Sequence, residues 1–412
     1  MTSLRPPLSA LWGVFLLVHV LVALLGWVYP SQPMGDVVLV YEPWATSALG
    51  GGPVVGVTET WVYPQLALIP MLVAKVLSLP LIAGMGVSGA YLVAWAVLVS
   101  VLDALAFSLL LGRSPGRGRR TAGVFWCLAL FLLGPIALYR IDAVTVPLVV
   151  VAGLWLARRP VVASVLLTVG AWIKIWPGAL VVAAVVSLRR RISVILAAAA
   201  VSVAVVLGLL ALGADTEILG FLTEQTGRGL QIEAVAATPF LWLAVLGEAR
   251  IEYSFDILTF QIAADGADAV SAALTPVMAA LVLVIGVLGV VKTIGGASAI
   301  RILPPLALSL VTALIVANKV GSPQFQTWLI APVVVWLALD RRRAGGAAVV
   351  VLALALLTCI VYPLTYDALL RAEVLPILVL SLRNLLLLVL LILGIRSLVR
   401  VPVPRIPVTP KE

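Results

Sequence analysis

The chain is poor in the residues on which metal centres, disulfide frameworks and water-soluble domains depend. Its 412 residues include one histidine and two cysteines, and only 11% are charged. A single histidine without a cysteine cluster argues against a zinc or iron site. Cys127 and Cys359 both lie in apolar stretches, so no disulfide is expected. The sequence has no long polar stretch, which leaves no room for a separate soluble domain.

Hydrophobic residues make up 63% of the chain. This composition predicts an all-α polytopic membrane protein, with one integral membrane domain over residues 1–400 and a cytoplasmic tail at 401–412. Lysine and arginine outnumber aspartate and glutamate by 27 to 18, giving a formal charge of +9. The excess lies in short runs between apolar stretches, as is typical of cytoplasmic loops, so it does not indicate a nucleic-acid-binding surface.

Runs of arginine set the topology, because positively charged loops remain on the cytoplasmic side. These runs lie at 113–120, 158–159, 189–191, 341–343 and 396–405. They place both termini in the cytoplasm of a multi-pass plasma-membrane protein. The first apolar run, Leu11–Tyr29, is too long for a signal-peptide core and predicts an uncleaved signal anchor. About twelve transmembrane helices are expected, at 11–29, 88–111, 121–138, 143–157, 161–172, 177–188, 192–213, 270–292, 300–317, 324–339, 346–362 and 374–395.

Some of these segments are too short to cross ~30 Å of hydrocarbon, which predicts short and broken helices around an outward-facing cavity. They are 143–157, 161–172 and 177–188. A further apolar stretch, Gln65–Leu79, carries Lys75 within a first outer loop at 30–87. The parity of the arginine runs favours an interfacial or re-entrant position for this stretch, but a crossing stays open. A second outer region, 213–270, contains an alternating stretch, Ile251–Phe260, that predicts a small β-hairpin.

Polar and aromatic side chains gather on the side opposite the arginine runs. A carboxylate there can deprotonate a hydroxyl, cations can hold a phosphate, and aromatic rings can stack on sugar faces. Ionisable groups at membrane depth are costly to keep, so they mark candidate functional positions. The clusters are Asp36 with Tyr41, Glu42 and Trp44; Tyr63; Arg140 with Asp142; Lys174; Arg228 with Glu233; and Lys319 with Gln324.

Together these motifs resemble the membrane glycosyltransferases of the GT-C fold. The shared features are an acid shortly after the first span (Asp36), a Tyr-Pro loop at Tyr63, an Arg-x-Asp turn at Arg140 and a Lys-x-x-Pro hairpin at Lys174. More narrowly, the chain is similar to bacterial polyprenyl-phosphate-mannose-dependent α-(1→2)-mannosyltransferases, which elongate phosphatidylinositol mannosides and lipomannan. The resemblance covers about residues 11–395.

The most specific parts of the resemblance are Arg228–Glu233 and the Asn-Lys-Val-Gly-Ser-Pro-Gln segment at Asn318–Gln324. One motif departs from the family pattern, because the usual Tyr-Pro-Pro is Tyr-Pro-Gln at Tyr63–Gln65. The departure puts the acceptor side in question.

The resemblance implies a hexosyltransferase that moves a sugar from a polyprenyl-phosphate donor to a hydroxyl of a glycolipid or cell-envelope glycan at the outer face. Mannose is the family's usual donor sugar, and arabinose or another pentose or hexose stays open as the donor sugar of this chain. Asp36 would be the general base of an inverting reaction that uses no metal or other cofactor. The candidates for binding the donor phosphate are Lys174, Arg140, Arg228 and Lys319. The candidates for lining the substrate site are Tyr41, Glu42, Trp44, Tyr63, Asp142, Glu233 and Gln324.

Each of these assignments has a structural alternative. Glu42 is the rival base, and Arg140 can simply pair with Asp142. Lys174 can serve as an interfacial anchor between two tryptophans, and Glu233 can hold Arg228 in place. Two mid-span charges, Asp103 and Arg383, can pair with each other, or one of them can line a lateral cavity, and the sequence does not choose between these roles. The one histidine, His19, is expected to be a packed or hydrogen-bonded span residue.

Two other classes of protein remain open from the sequence alone. A transporter or flippase of a lipid-linked sugar would also place ionisable groups inside the membrane, but it often shows repeat symmetry and polar groups near the midplane. Here the polar groups are biased to one side and no repeat is apparent. A purely structural subunit would leave the outer charges without a role.

Overall fold

The computed structural model describes residues 7–223, 228–254 and 259–404. Helices dominate this part of the chain. They are α1 (Leu8–Val28), α2 (Glu42–Leu49), α3 (Leu68–Ser78), α4 (Ile82–Leu111), α5 (Arg117–Leu133), α6 (Ile141–Trp155), α7 (Pro160–Ile173), α8 (Gly178–Ser187), α9 (Arg191–Ala211), α10 (Gly220–Thr223), α11 (Thr238–Val245), α12 (Ala267–Ile294), α13 (Ala299–Val316), α14 (Ile330–Cys359), α15 (Tyr366–Leu370) and α16 (Val374–Val399). Two strands, β1 (Arg250–Ser254) and β2 (Thr259–Ala263), complete the set.

Eight helical stretches of the described residues are long and apolar enough to cross a membrane. A multi-pass membrane protein built of helices is therefore confirmed. These stretches are Leu8–Val28, Gln65–Leu111, Arg117–Ala137, Arg191–Ala211, Ala267–Ile294, Ala299–Val316, Pro323–Leu364 and Val374–Val399.

The predicted twelve crossings are not confirmed by helix length. Three of the predicted segments form α6, α7 and α8, which have 15, 14 and 10 residues and are too short for a straight crossing. Two more, 324–339 and 346–362, lie within one stretch that kinks at Asp340, where φ is −145° and ψ is 76°. The short helices were expected, because the apolar segments between the polar turns are short.

Gln65–Leu79 joins the stretch that contains α4 through a short 3₁₀ turn at Leu79–Leu81. The chain kinks again at Gly86, which has φ of +70° and ψ of 171°. A side chain at that φ would be strained, so glycine allows the bend there. Helix α3 packs against both α2 and α4. The loop over residues 30–87 thus folds back onto the N-terminal part of α4, where the Tyr91 hydroxyl donates to the Met71 carbonyl at 3.1 Å.

The core lies around α5, α6, α13 and α14. Helix α5 packs along α14, and α13 packs along α16. Among the long apolar helices, α13 is the most enclosed, with 78% of its most apolar segment buried, whereas α9 and α12 are the least, with 17% each. Since α9 and α12 are apolar on all sides yet exposed, they form a periphery suited to lipid.

The second outer region has a small core of its own. Strands β1 and β2 pair antiparallel, with Arg250 opposite Ala263 and Ser254 opposite Thr259, so the predicted hairpin is confirmed in its two strands. The segment at Leu230 extends this sheet, because the Ile262 N–H donates to the Leu230 carbonyl at 2.9 Å. Apolar side chains from this region pack with others from α11, α12 and α16. The region is therefore folded and packs against α12 and α16.

Candidate functional site

A cavity of about 400 Å³ brings together five of the residues singled out in the sequence. Its polar lining includes Lys174, Arg228, Lys319, Tyr63 and Gln324. Its apolar lining includes side chains of α10, α12 and α13, namely Phe221, Met278 and Leu314. We call this space the cationic cavity. Three cationic side chains thus share one space with an apolar wall.

Lys174 lies in the turn where α7 ends, in extended conformation with φ of −151° and ψ of 132°. Pro177 starts the following helix, so the backbone cannot continue helically through this turn. The ammonium nitrogen of Lys174 stands 4.4 Å from the centre of the Tyr63 ring, a cation–π contact. It also lies 3.6 Å from Oδ2 of Asp142. The lysine is therefore held at the cavity wall by an aromatic ring and a carboxylate.

Asp142 was predicted to line the substrate site, but its side chain is fully buried behind Lys174. It occupies the first turn of α6, where a carboxylate is stabilised by the helix dipole. Its Oδ1 accepts a hydrogen bond from the Trp328 indole N–H at 2.6 Å. The alternative pairing of Asp142 with Arg140 does not form. Asp142 positions a cation and an aromatic ring and does not contact the cavity.

The two segments most specific to the resemblance contact each other directly. The Gln231 N–H donates to the Lys319 carbonyl at 3.0 Å, and the Gly321 N–H donates to Oε1 of Gln231 at 2.9 Å. Because a Cβ on Gly321 would stand 2.1 Å from backbone atoms of Glu233 and Ala234, only glycine fits this contact. The contact fixes Lys319 and Arg228 beside one another. The residues preceding Arg228 in the cluster, Glu224–Gly227, lie outside the described residues.

The proximity of Lys319 and Arg228 has an electrostatic consequence. Lys319 is buried, and burial lowers the pKa of its ammonium, with a further lowering by the positive charge of Arg228. Bringing a dianionic or monoanionic phosphate into the cavity would relieve this repulsion. The pair is thus an attractive site for an anion.

Asp36 stands apart from the cationic cavity, at the start of a π-helical turn spanning Val37–Tyr41. Its side chain is about one-third exposed, and Oδ2 lies 3.3 Å from Nε of Arg140. The Arg140 guanidinium is buried and also donates to the Pro33 carbonyl at 2.8 Å and to the Tyr362 hydroxyl at 3.3 Å. Burial alone would lower the pKa of Arg140. The negative charge of Asp36 and the neighbouring tyrosines together raise it by more, so the pKa of Arg140 lies above its usual value. Arg140 is the partner of Asp36 and is not a wall of the cationic cavity.

Two tyrosines connect Asp36 with the cationic cavity. Burial raises the pKa of Tyr63, and the negative charges of Asp36 and Asp142 raise it further. Tyr63 itself lines the cationic cavity, where its ring contacts Lys174. Tyr41 is fully buried, with its ring 6.4 Å from that of Tyr63, and its hydroxyl accepts a hydrogen bond from the Ile141 N–H. Tyr41 is accordingly a packing residue between the Asp36–Arg140 ion pair and the cationic cavity.

The remaining aromatic residues of the first outer loop pack on one another. Trp44 stands edge-on to Trp61 at 5.3 Å and to Tyr63 at 6.1 Å between ring centres. Trp61 is buried, so its ring faces protein. Of the predicted aromatic lining residues Tyr41, Trp44 and Tyr63, Tyr63 is the one that lines the cationic cavity. The others build the wall behind it.

Glu42, the alternative candidate for the general base, joins α2 to α3. Its carboxylate contacts the ammonium of Lys75 and accepts a hydrogen bond from the Thr46 hydroxyl at 2.7 Å. Lys75 is buried, and the pair explains how a lysine is tolerated within an apolar helix. This placement favours a structural role for Glu42.

Glu233 is buried and pairs with Arg383, with 3.5 Å between Oε2 and Nη1. Arg383 also contacts the Glu233 backbone carbonyl and the Asn384 side chain. Burial raises the pKa of Glu233 to about 7, and Arg383 opposes that rise. Glu233, predicted to line the substrate site or else to hold Arg228, therefore has Arg383 as its ion-pair partner and does not line the cationic cavity. The pair instead ties the second outer region to α16.

Asp103 and Arg383, for which mutual pairing was one of two open alternatives, have different partners. Asp103 contacts the only histidine, with 3.2 Å between Oδ2 and Nε2 of His19. His19 also hydrogen-bonds the Phe15 carbonyl through Nδ1 at 2.8 Å, so its prediction as a hydrogen-bonded span residue is confirmed. This contact joins α1 to α4.

Sequence reasoning missed Trp328 and Tyr362. Trp328 anchors Asp142 and stacks on Trp176 with ring centres 6.0 Å apart, and Tyr362 bonds to Arg140. Each had a weak signal in the sequence. Trp328 stands four residues after Gln324, and Tyr362 precedes a proline at the end of an apolar run.

No family model, curated protein or solved structure matches this chain. A function for these residues must therefore be inferred from their geometry and from the sequence motifs described above.

Proposed function

We propose that the protein is a glycosyltransferase that moves a sugar, with mannose the first candidate, from a polyprenyl-phosphate donor to a hydroxyl of a glycolipid or cell-envelope glycan at the outer membrane face. The observation that carries this proposal is the cationic cavity. Lys174, Arg228 and Lys319 come from three separate parts of the sequence and line one space with apolar side chains. Cations suit the phosphate, and the apolar wall suits the start of an isoprenoid tail.

The proposed transfer uses the Asp36 carboxylate and the three cations of the cationic cavity. The Asp36 carboxylate would take the proton of the acceptor hydroxyl as the hydroxyl oxygen bonds to the anomeric carbon. The bond from that carbon to the phosphate oxygen breaks, and its electron pair leaves with the polyprenyl phosphate. Lys174, Lys319 and Arg228 would stabilise the negative charge that the leaving phosphate gains.

Arg140 has a supporting role in this proposal. Its guanidinium holds the Asp36 carboxylate at 3.3 Å and fixes the preceding backbone through the Pro33 carbonyl. A positioned carboxylate loses less freedom when it accepts the proton. Tyr63 lines the cationic cavity beside Lys174, where its aromatic ring would contact the sugar of a donor whose phosphate lies at that lysine.

The test is transfer from radiolabelled polyprenyl-phosphate-mannose in membranes that contain wild type or Asp36→Asn, with lipid products separated by chromatography. A wild-type glycolipid product that falls ~10²–10⁴-fold in the variant is expected, since general-base catalysis contributes about that factor. Glu59→Gln is the matched control, because Glu59 is an exposed acid of the same loop. Both variants should be present in membranes at wild-type amounts. Near-normal turnover by Asp36→Asn would overturn the assigned base.

A further inference from the structure

Gln65, the residue at which the Tyr-Pro-Pro motif departs from the family pattern, is bonded to a distant part of the chain. Its side-chain Nε2 donates hydrogen bonds to the backbone carbonyls of Glu217 and Ile218, both at 3.1 Å. These carbonyls belong to a 3₁₀ turn, Thr216–Leu219, that leads directly into α10. A glutamine amide carries two N–H groups, so one side chain can satisfy both carbonyls. Gln65 thus joins the loop over residues 30–87 to the segment that enters α10.

The residues that follow this turn line the cationic cavity. Phe221 and Leu222, in α10, form part of its apolar wall. We call residues 216–222 the wall segment. Tyr63 and Pro64, which directly precede Gln65, line the same cavity. Gln65 itself is 5% exposed and does not line it, so its side chain connects two parts of the lining from behind.

The wall segment is packed closely between two other parts of the chain. A Cβ on Gly220 would stand 2.7 Å from Cγ2 of Thr60 and 3.1 Å from the backbone nitrogen of Trp61. The segment therefore touches the loop over residues 30–87 at this glycine as well as at Gln65. On another side, the Phe221 ring lies 6.1 Å from the Trp172 ring, near the end of α7. A displacement of the wall segment would consequently move the apolar wall relative to the turn after α7.

The energetics of Gln65 favour a positioning role over simple packing. Its Oε1 is buried and has no hydrogen-bond partner among the described residues. An unpaired buried acceptor destabilises a fold. An apolar side chain of the same size would avoid that cost, but it would leave the Glu217 and Ile218 carbonyls without these two donors. The amide therefore serves the position of the wall segment at some expense of stability.

We infer that Gln65 is a positioning residue that fixes Phe221 and Leu222 in the wall, so that the cationic cavity selects a phosphate ester with an isoprenoid chain over one without. This inference rests on the proposed function, in which the cavity holds the donor phosphate, and adds a residue that determines selectivity. The three cations contact the phosphate, and the wall segment contacts the start of the chain. Loss of the Gln65 bonds releases the wall and leaves the cations in place. The departure from the family motif thus bears on the donor side of the site.

Two phosphate monoesters of equal charge separate the wall from the cations. Geranyl phosphate carries a short isoprenoid chain, and methyl phosphate carries none. Their dissociation constants are measured by isothermal titration calorimetry on the full-length protein in lipid nanodiscs, with empty nanodiscs as the blank. Wild type should prefer geranyl phosphate. Gln65→Leu, which removes both donors and keeps the side-chain size, should bind geranyl phosphate about tenfold more weakly, as the loss of one or two hydrogen bonds predicts, and methyl phosphate as wild type does.

Gln32→Leu is the matched control, because Gln32 is an exposed glutamine of the same loop and does not line the cationic cavity. It should leave both dissociation constants unchanged. Phe221→Ala should also weaken geranyl phosphate alone. Gln65→Leu combined with Phe221→Ala should lose no more affinity than Phe221→Ala, because both act through one wall. Additive losses in the double variant, or an equal loss for the two phosphates in Gln65→Leu, would overturn the inference.

Hydrogen–deuterium exchange of wild type tests the wall segment without requiring any variant to fold. Geranyl phosphate should slow amide exchange at residues 216–222, and methyl phosphate should not; equal effects of the two would reject the role of the wall. If wild type prefers geranyl phosphate and Gln65→Leu keeps that preference, the role of Gln65 is rejected and the proposed function stands. If wild type binds neither phosphate, the phosphate site of the proposed function is overturned together with this inference.

Discussion

At the scale of single residues, Asp142 offers a direct test of how the donor phosphate is held. Asp142→Asn keeps an oxygen for the Trp328 indole but removes the charge that faces Lys174. The Lys174–Asp142 contact is an ion pair at 3.6 Å, and its loss frees the ammonium from its place at the cavity wall. A loss of about tenfold in donor affinity, equivalent to ~1.4 kcal/mol, is therefore expected. The effect should appear mainly in the donor KM, measured by steady-state transfer.

The control for Asp142 is Asp268→Asn. Asp268 also stands in the first turn of a helix, α12, but its side chain is exposed and it does not line the cationic cavity. Any general effect of losing an acid near a helix N-terminus is shared by both variants. An equal loss of donor affinity in the two variants would show that Asp142 does not act through Lys174.

Lys319 predicts a dependence of donor binding on pH. Burial and Arg228 lower the pKa of its ammonium, so the lysine loses its charge at a lower pH than the ~10.4 of an exposed lysine. A neutral amine no longer attracts phosphate. Donor affinity should therefore fall as pH rises through the alkaline range, measured with polyprenyl phosphate on purified protein. Lys319→Arg keeps its charge throughout and should flatten this fall, and an unchanged profile in that variant would assign the pH dependence to another group.

The ion pairs show why the partner of a charge could not be predicted from sequence neighbours. Arg140 and Asp142 are two residues apart, yet Arg140 is extended, with φ of −138° and ψ of 150°, whereas Asp142 has begun α6. The change in backbone conformation sends the two side chains to different partners, Asp36 and Lys174. The charged types and their common side were predictable because burial of charge is costly. Their pairing depends on helix packing.

At the scale of elements, the contact between the segments Arg228–Glu233 and Asn318–Gln324 depends on one glycine, Gly321. In Gly321→Ala the new Cβ would meet backbone atoms of the 233–234 segment at 2.1 Å, and backbone cannot rotate away as a side chain can. The segment must shift, which breaks the bonds that join Gln231 to Lys319 and Gly321. A lower melting temperature in detergent and weaker binding of polyprenyl phosphate are expected together.

Gly208→Ala is the matched control for this substitution. Gly208 lies in α9, and a Cβ added there would have nothing within 4 Å, so alanine fits and gains about 0.5–1 kcal/mol of helix propensity. Its melting temperature should equal or exceed that of wild type. A wild-type melting temperature for Gly321→Ala would contradict the close packing of the two segments.

The short helices were foreseeable, and their packing was not. Apolar runs of 10–15 residues between polar turns fix the lengths of α6, α7 and α8 within a few residues. The turn that ends α7 was marked by Lys174 and Pro177 in the sequence. Nothing in those runs indicates that the turn faces Tyr63 of the first outer loop, because that contact joins segments more than a hundred residues apart.

At the scale of the whole molecule, the charged groups separate between the two sets of helix ends. Arginine runs follow α4, α6 and α8, whereas the candidate site uses the turns after α5, α7 and α13. This alternation is what successive crossings would produce. It supports a topology in which even the short helices carry the chain from one side of the membrane to the other.

Cysteine accessibility in intact cells tests this topology. Glu248 and Arg158 are both exposed, Glu248 in the second outer region and Arg158 in the turn after α6. In a background where the buried Cys127 and Cys359 are replaced by alanine, a membrane-impermeant maleimide should label Glu248→Cys in intact cells. It should label Arg158→Cys only after permeabilisation, because positively charged loops remain cytoplasmic. Labelling of Arg158→Cys in intact cells would mean that α6 does not cross. The cationic cavity and the arginine runs would then share one side, and a donor delivered to the outer leaflet could not be the substrate.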